Sequence, residues 1–131
     1  MQKLPLNALE KYVYGVLSEN TAQIKVYDFV PDEARYPFYS IGECSLTDWS
    51  SKRDYGSEVV YHVTAWSDAK GMKQVNDMSD TVISLFVNSP SALDYGFHIK
   101  GAELVGVDVN RHSSGEIRFA DITIRFLISQ D

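Results

Sequence analysis

The chain has 131 residues, a formal net charge of -6 and a pI near 4.9. This length predicts a single domain over residues 1–131, and the acidic balance argues against a surface that wraps nucleic acid phosphates. One cysteine excludes an internal disulfide, and the lack of a long apolar run or an apolar leader predicts a soluble protein folded in a reducing cytoplasm.

The first part of the chain predicts a helix followed by two strands. Apolar residues recur at spacings of three and four over Leu6–Ser18, and Pro5 stands where a first helical turn tolerates a missing amide. Ile24–Val30 alternates as a short strand, and Pro37–Leu46 predicts another, with Gly42 as a candidate bulge.

The stretch Val59–Trp66 predicts an interior strand, because it is rich in β-branched and aromatic residues and neither of its faces is cleanly polar. One face carries Val59, Tyr61, Val63 and Ala65, and the other carries Val60, His62, Thr64 and Trp66. The period then changes to that of a helix that starts near Ser67–Gly71, where Ser and Asp are typical cap residues. Pro90 ends this helix.

The last part of the chain predicts two strands joined by a turn. Phe97–Lys100 and Ala102–Asn110 are extended segments around Gly101, and Arg111–Gly115 is a turn by composition. Ile117–Ile128 has the cleanest alternation in the chain. The order helix-strand-strand-strand-helix-strand-strand predicts an α+β fold, with two main helices packed on a mostly antiparallel sheet.

Motifs for catalysis, metal binding or cofactor binding are lacking in the sequence. The three histidines have no zinc-ligand spacing, Cys44 stands alone, and no phosphate-binding glycine loop or nucleophile elbow occurs. One combination stays open for a small enzyme or ligand-binding domain, in which His62 and Trp66 on one strand face join carboxylates around the last hairpin. Those carboxylates are Glu103, Asp108, Glu116 and Asp121. Charged residues at strand ends more often form a solvated rim than an active site. Because the motifs are also lacking, we expect that the protein is not an enzyme and has no catalytic residue, metal or cofactor.

Three segments together resemble the tail-completion or tail-terminator proteins of long-tailed bacteriophages and prophages. They are Tyr36–Glu43, Asp48–Lys52 and Val63–Gly71 with the helix that follows. The order of features is also similar: an opening helix, a strand that ends in Val30-Pro31, a Pro-aromatic strand, and a Trp-Ser exit into a helix. The resemblance covers nearly the whole chain.

The resemblance implies a structural role in the virion, after assembly in the host cytoplasm. Such proteins cap the head-proximal end of the tail tube as a ring, usually a hexamer, which stops elongation and forms the docking surface for the head connector. The implied partners are further copies of the chain, the tail tube protein and the connector or stopper protein. DNA would pass through the ring without specific binding, since an acidic ring repels a duplex. Another neck component, a stopper or a connector, is the alternative.

The segment Asp48–Gly56 is the candidate assembly contact. It has no apolar periodicity, so we expect a mobile loop in the isolated subunit. Trp49 and Tyr55 are residue types that anchor interfaces, and Lys52 and Arg53 form a basic pair that suits acidic groups on a neighbouring subunit or on the tube. The alternative, left open by the sequence, is that Trp49 packs on its own sheet and the rest is a solvated hairpin tip.

Overall fold

A computed structural model describes residues 1–21 and 23–131. Two helices, six strands and a short 3₁₀ helix alternate along the chain, and this confirms the predicted α+β class. In chain order they are α1 (Leu6–Asn20), β1 (Lys25–Tyr27), β2 (Phe38–Asp48), β3 (Gly56–Ser67), α2 (Lys73–Phe86), β4 (Ser91–Ala92), the 3₁₀ helix Asp94–Gly96, β5 (Phe97–Arg111) and β6 (Arg118–Gln130). Neither α1 nor α2 is long and apolar enough to cross a membrane, and the rest of the described chain has no such helix.

The six strands form one sheet in the order β1-β2-β3-β6-β5-β4. Every pairing is antiparallel except that of β1 with β2. The strand predicted to be interior, β3, lies between β2 and β6. The bulge predicted at Gly42 is confirmed, because the register shifts between Ile41 and Cys44 and Gly42 has a φ of +113°.

Both helices pack on the same face of the sheet, which we call the helix side. On β3 the helix side carries the face of the strand that begins with Val59, as predicted. On β6 it carries every second residue from Ile122 to Ile128, as the alternation of that strand predicts. The buried side chains are Val59, Tyr61, Val63, Ala65, Ile122, Ile124, Phe126 and Ile128. The opposite face, which we call the open face, carries the half-buried polar and aromatic residues of β3 and β6.

Three strand predictions need correction in length or number. β1 stops at Tyr27, so Phe29 and Val30 are exposed loop residues and not the end of a strand. The two segments predicted around Gly101 form one strand, β5, because bulges absorb the irregularities at residues 99–101 and 104–106. The two-residue strand β4 was not predicted, since its pairing with residues 98 and 99 has no signal in the local sequence.

The helix after β3 begins later than its cap residues predict. α2 starts at Lys73, and no side chain caps its N-terminus. Ser67 is the last residue of β3, and its Oγ accepts a hydrogen bond from the Ala69 amide at 3.0 Å and contacts the Gln74 side chain. Ser67 therefore fixes the turn between β3 and α2 instead of the first turn of α2.

Candidate functional site

The β2–β3 loop, residues 49–55, forms a compact hairpin tip through its own backbone. The Trp49 amide donates to the Gly56 carbonyl at 2.9 Å, and the Ser51 amide donates to the Asp54 carbonyl at 2.9 Å. The Ser51 Oγ also accepts from the amides of Arg53 and Asp54, at 3.3 and 3.1 Å. Side-chain acceptors of this type are the usual way in which Ser stabilises a tight turn.

Asp48 and Ser50 hold the base of the loop. The Ser50 hydroxyl donates to the Asp48 carboxylate at 2.6 Å and accepts from the Gly56 amide at 3.2 Å. The Gln2 side-chain amide donates to the same carboxylate oxygen at 2.9 Å. Hydrogen bonds to the charged form, first from Ser50 and then from Gln2, hold the pKa of Asp48 below its ordinary value.

The sequence leaves open whether Trp49 packs on its own chain or is a contact residue. In the structure Trp49 packs on its own chain and is still partly exposed. A Cβ added at Gly56 would lie 2.7 Å from the Trp49 carbonyl oxygen and 3.0 Å from the indole Cε3, so only glycine allows this close approach. Yet 46% of Trp49 and 43% of Tyr55 are exposed. Lys52 and Arg53 are exposed as well, and neither takes part in the ion pairs found over residues 1–21 and 23–131.

Both chain ends join the β2–β3 loop at one end of the sheet, which we call the loop end. The Gln130 amide donates to the Tyr55 carbonyl at 3.1 Å, and the Gln130 side chain bonds the backbone of Met1 and Lys3. The Asp131 amide donates to Gly96. Large apolar side chains that are well exposed concentrate here: Met1, Leu4, Trp49, Tyr55 and Tyr95. Such a concentration is typical of an interaction surface.

A second concentration of exposed apolar residues lies on β5 and was missed in the sequence. Leu104, Val105 and Val109 are 42%, 59% and 37% exposed. The apolar residue types of this stretch are visible in the sequence, and an apolar strand with only one partner strand leaves one edge uncovered. The sequence alone does not show that β4 covers only residues 98 and 99 of that edge.

The structure brings together only part of the residue set considered for an enzyme. A shallow groove of about 590 Å³ on the open face is lined by His62, Trp66 and Asp121 among others. The His62 Nδ1 lies 3.2 Å from the Asp121 carboxylate and 3.1 Å from the Thr123 hydroxyl. Within the described ranges, His62 makes no hydrogen bond through Nε2, where a nucleophile of a catalytic triad would be held.

Of the other carboxylates of that set, Glu103 and Glu116 lie away from the groove, whereas Asp108 is opposite Asp121 in the sheet. Glu103 is bonded to Arg125, which also lies 3.6 Å from Glu58. Asp108 is exposed on β5 opposite Asp121, and Glu116 is exposed in the β5–β6 turn. Among residues 1–21 and 23–131, no cluster of three His, Cys, Asp or Glu side chains is placed to hold a metal ion.

Trp66 belongs to an aromatic row that covers the open face near the start of β2. Its ring centroid lies 6.2 Å from that of Phe38 and 5.2 Å from that of Phe119, and its indole N–H donates to the Ser40 hydroxyl at 3.0 Å. Trp66 is half-buried, and its indole has apolar surface packed against neighbouring rings and its polar atom paired. This arrangement explains Trp66 as cover for the second face of the sheet.

Comparisons with known proteins agree with a structural role. The family model of tail completion protein gp17 matches residues 13–129. A chain in the virion of a native gene transfer agent particle has the same fold, with a TM-score of 0.85 and 18% identity over 98% of this chain and 99% of that chain. No curated protein sequence matches. The chain thus belongs to the family of tail completion protein gp17 and is a structural component of the phage tail in the virion.

Proposed function

We propose that this protein caps the head-proximal end of the tail tube as a hexameric ring, stops tube elongation and presents the docking surface for the head connector. The family match over residues 13–129 carries this proposal. The virion origin of a protein with the same fold is consistent with it. The proposed role is structural, so it needs no catalytic group.

The loop end supplies the contact surface that such a cap requires. Trp49 and Tyr55 are each a little less than half exposed, and this exposed part is available to a partner. Hot spots of interfaces are enriched in Trp, Tyr and Arg. Lys52 and Arg53 lie between them and lack carboxylate partners in the described chain. We therefore assign these four residues to the contact with an acidic surface of another virion protein.

The open face gives the ring a surface suited to a passing duplex. β3, β5 and β6 place four carboxylates on this face, those of Glu58, Glu103, Asp108 and Asp121. Arg125 compensates part of this charge through its ion pairs with Glu58 and Glu103. A net acidic surface repels phosphates, so DNA would slide past this face without binding to it.

The proposal is tested with tail tubes assembled in the presence and absence of the chain. We expect tubes without the chain to have a broad length distribution, and tubes with it to have uniform length and a six-fold ring at one end in electron micrographs. Tubes that elongate equally in both cases, with no ring at their ends, would overturn the proposed function. Binding to filled heads and not to tubes would assign the chain to another neck component.

A further inference from the structure

The sheet has two long edges that no other strand covers in the described chain. On one side β1 pairs with residues 38–40 of β2, and residues 44–48 pair only with β3. On the other side β4 pairs with residues 98 and 99 of β5, and the Asn88 amide bonds the Ala102 carbonyl. Residues 103–111 of β5 then pair only with β6. Both edges therefore present a row of backbone donors and acceptors to the outside.

The two free edges lack the lysine and proline residues that commonly prevent edge-to-edge pairing, although both carry carboxylates and a bulge lies at residues 104–106. Segments 44–48 and 103–111 contain no lysine and no proline, and the second carries the exposed apolar residues Leu104, Val105 and Val109. An exposed, long, apolar edge strand is a template for pairing with another chain. In a soluble subunit that joins an assembly, such edges indicate a pairing that the assembly completes.

The strand directions make the two edges fit each other. β2, β3, β6 and β5 lie side by side and alternate in direction, so β2 and β5 run in opposite directions. When β5 of one copy is placed beside β2 of the next copy with both sheets in the same orientation, the new pair is antiparallel. It continues the ladder that holds β2 to β3 and β5 to β6.

The side chains on the two edges also agree in character. Cys44 and Leu46 of β2 lie on the helix side, because they are opposite Tyr61 and Val59. Leu104 and Val109 of β5 lie on the same side, because they are opposite Ile124 and Ala120. Pairing the edges would therefore bring partly exposed apolar residues together on one face, which is the contact that stabilises antiparallel pairs.

We propose that the subunits join head to tail, with residues 103–111 of β5 pairing antiparallel with residues 44–48 of β2 in a second copy of this chain. This deepens the proposed ring and rests on it. In a ring, the two neighbouring copies of the chain cover both edges of each subunit. A peptide from another protein would cover one edge and leave the other open. Contacts between two different surfaces of the same chain generate rings when the rotation closes.

Disulfide trapping tests this pairing and uses the native cysteine. Leu104→Cys, Val107→Cys and Val109→Cys are made singly with Cys44 retained, and again with Leu46→Cys in a Cys44→Ser background. Directly opposed residues of antiparallel strands have Cα atoms about 4.5 to 5.5 Å apart, within disulfide range. Burial and the nearby Glu10 carboxylate raise the pKa of the Cys44 thiol, so the oxidation is run with copper-phenanthroline at alkaline pH.

The expected result is a ladder of dimers, trimers and larger species on non-reducing gels for at least one of these pairs, with the protein bound to tail tubes. Two controls are matched to this experiment. In the first, Cys44→Ser leaves the β5 cysteine as the sole cysteine of the chain, and in the second, Ser84→Cys on the exposed side of α2 is combined with the native Cys44. Both controls should give no ladder. Dimers from a β5 cysteine in the Cys44→Ser background would show that β5 pairs with β5, and this overturns the head-to-tail arrangement.

The two proposals fail separately in this experiment. Rings that cap tubes while none of the cysteine pairs cross-links overturn the edge pairing and leave the capping function standing. A ladder in a protein that neither binds tube ends nor limits their length supports the edge pairing and overturns the capping function. The absence of a ladder on tubes and at high protein concentration without tubes overturns the edge pairing in both settings.

Discussion

Truncating Trp49 is expected to lower both the stability of the subunit and its assembly, because the indole is about half buried. A fully buried tryptophan removes about 150–250 Å² from water, so the buried part of Trp49 corresponds to roughly 100 Å². At about 25 cal/mol per Å² this is at most about 2.5 kcal/mol, an upper bound because the unfolded chain already buries part of its surface. We expect Trp49→Ala to lower the free energy of unfolding by about 1–2 kcal/mol.

Lys52→Ala with Arg53→Ala separates assembly from stability in the same loop. Both side chains are exposed and outside the described ion pairs, so this double variant should change the free energy of unfolding by less than about 0.5 kcal/mol. It should nevertheless weaken binding to tail tubes, whereas the matched double variant of exposed Arg35 and Lys70 should not. Urea unfolding and tube co-sedimentation measure the two effects.

Two outcomes would refute this reasoning. If Trp49→Ala leaves the unfolding free energy unchanged, the indole does not pack on Gly56 in solution. If the double variant of Lys52 and Arg53 binds tubes as well as the matched control, the loop is not a charged contact with the tube. Gly56→Ala serves as a positive control for packing, because its Cβ would meet the Trp49 carbonyl oxygen at 2.7 Å and should destabilise the loop.

Two further predictions concern buried hydroxyls and the base of the loop. Tyr39→Phe should lower the free energy of unfolding by about 1 kcal/mol, because it removes the 2.9 Å bond to the Met78 carbonyl. Tyr61→Phe should leave the free energy of unfolding unchanged or higher, since that buried hydroxyl meets the Gly42 backbone without forming a hydrogen bond of ordinary geometry. Equal losses in urea unfolding would contradict this pair of predictions. Asp48 has a lowered pKa in the folded state, so its stabilising effect is present above the unfolded pKa and is lost as pH falls through the folded value. Ser50→Ala should raise the pKa of Asp48 toward its ordinary value in an NMR titration, and an unchanged pKa would show that the Ser50 bond is not formed.

Periodicity in the sequence predicted the elements that bury apolar side chains against the sheet. α1, α2, β3 and β6 each have a long pattern with one buried face, so local sequence was enough to define them. The start of α2 was misplaced because Ser67 hydrogen-bonds within the turn that precedes the helix. The extra strand β4 and the short β1 depend on partners far away in the chain, which local patterns do not contain.

The candidate site was predictable in its residue types but not in its geometry. The sequence indicates interface residue types inside a polar loop, and the structure exposes all four of them: Trp49, Lys52, Arg53 and Tyr55. The half burial of Trp49 depends on its close approach to Gly56 across the base of the loop. The His62–Asp121 contact joins strands whose residues are 59 positions apart, so sequence spacing gave no indication of it.

The two proposed contact surfaces point in different directions, and this decides which partner each one meets. The free edges of β2 and β5 run along the strands, whereas the β2–β3 loop lies at the ends of the strands. A ring joined through its strand edges has neighbours of the same chain on both sides of each subunit, so the loop end is left for a partner above or below the ring. We therefore expect the Lys52 and Arg53 variants to keep the disulfide ladder while they lose binding to the tube or to the connector. A loss of the ladder in these variants would instead place the loop between subunits of the ring.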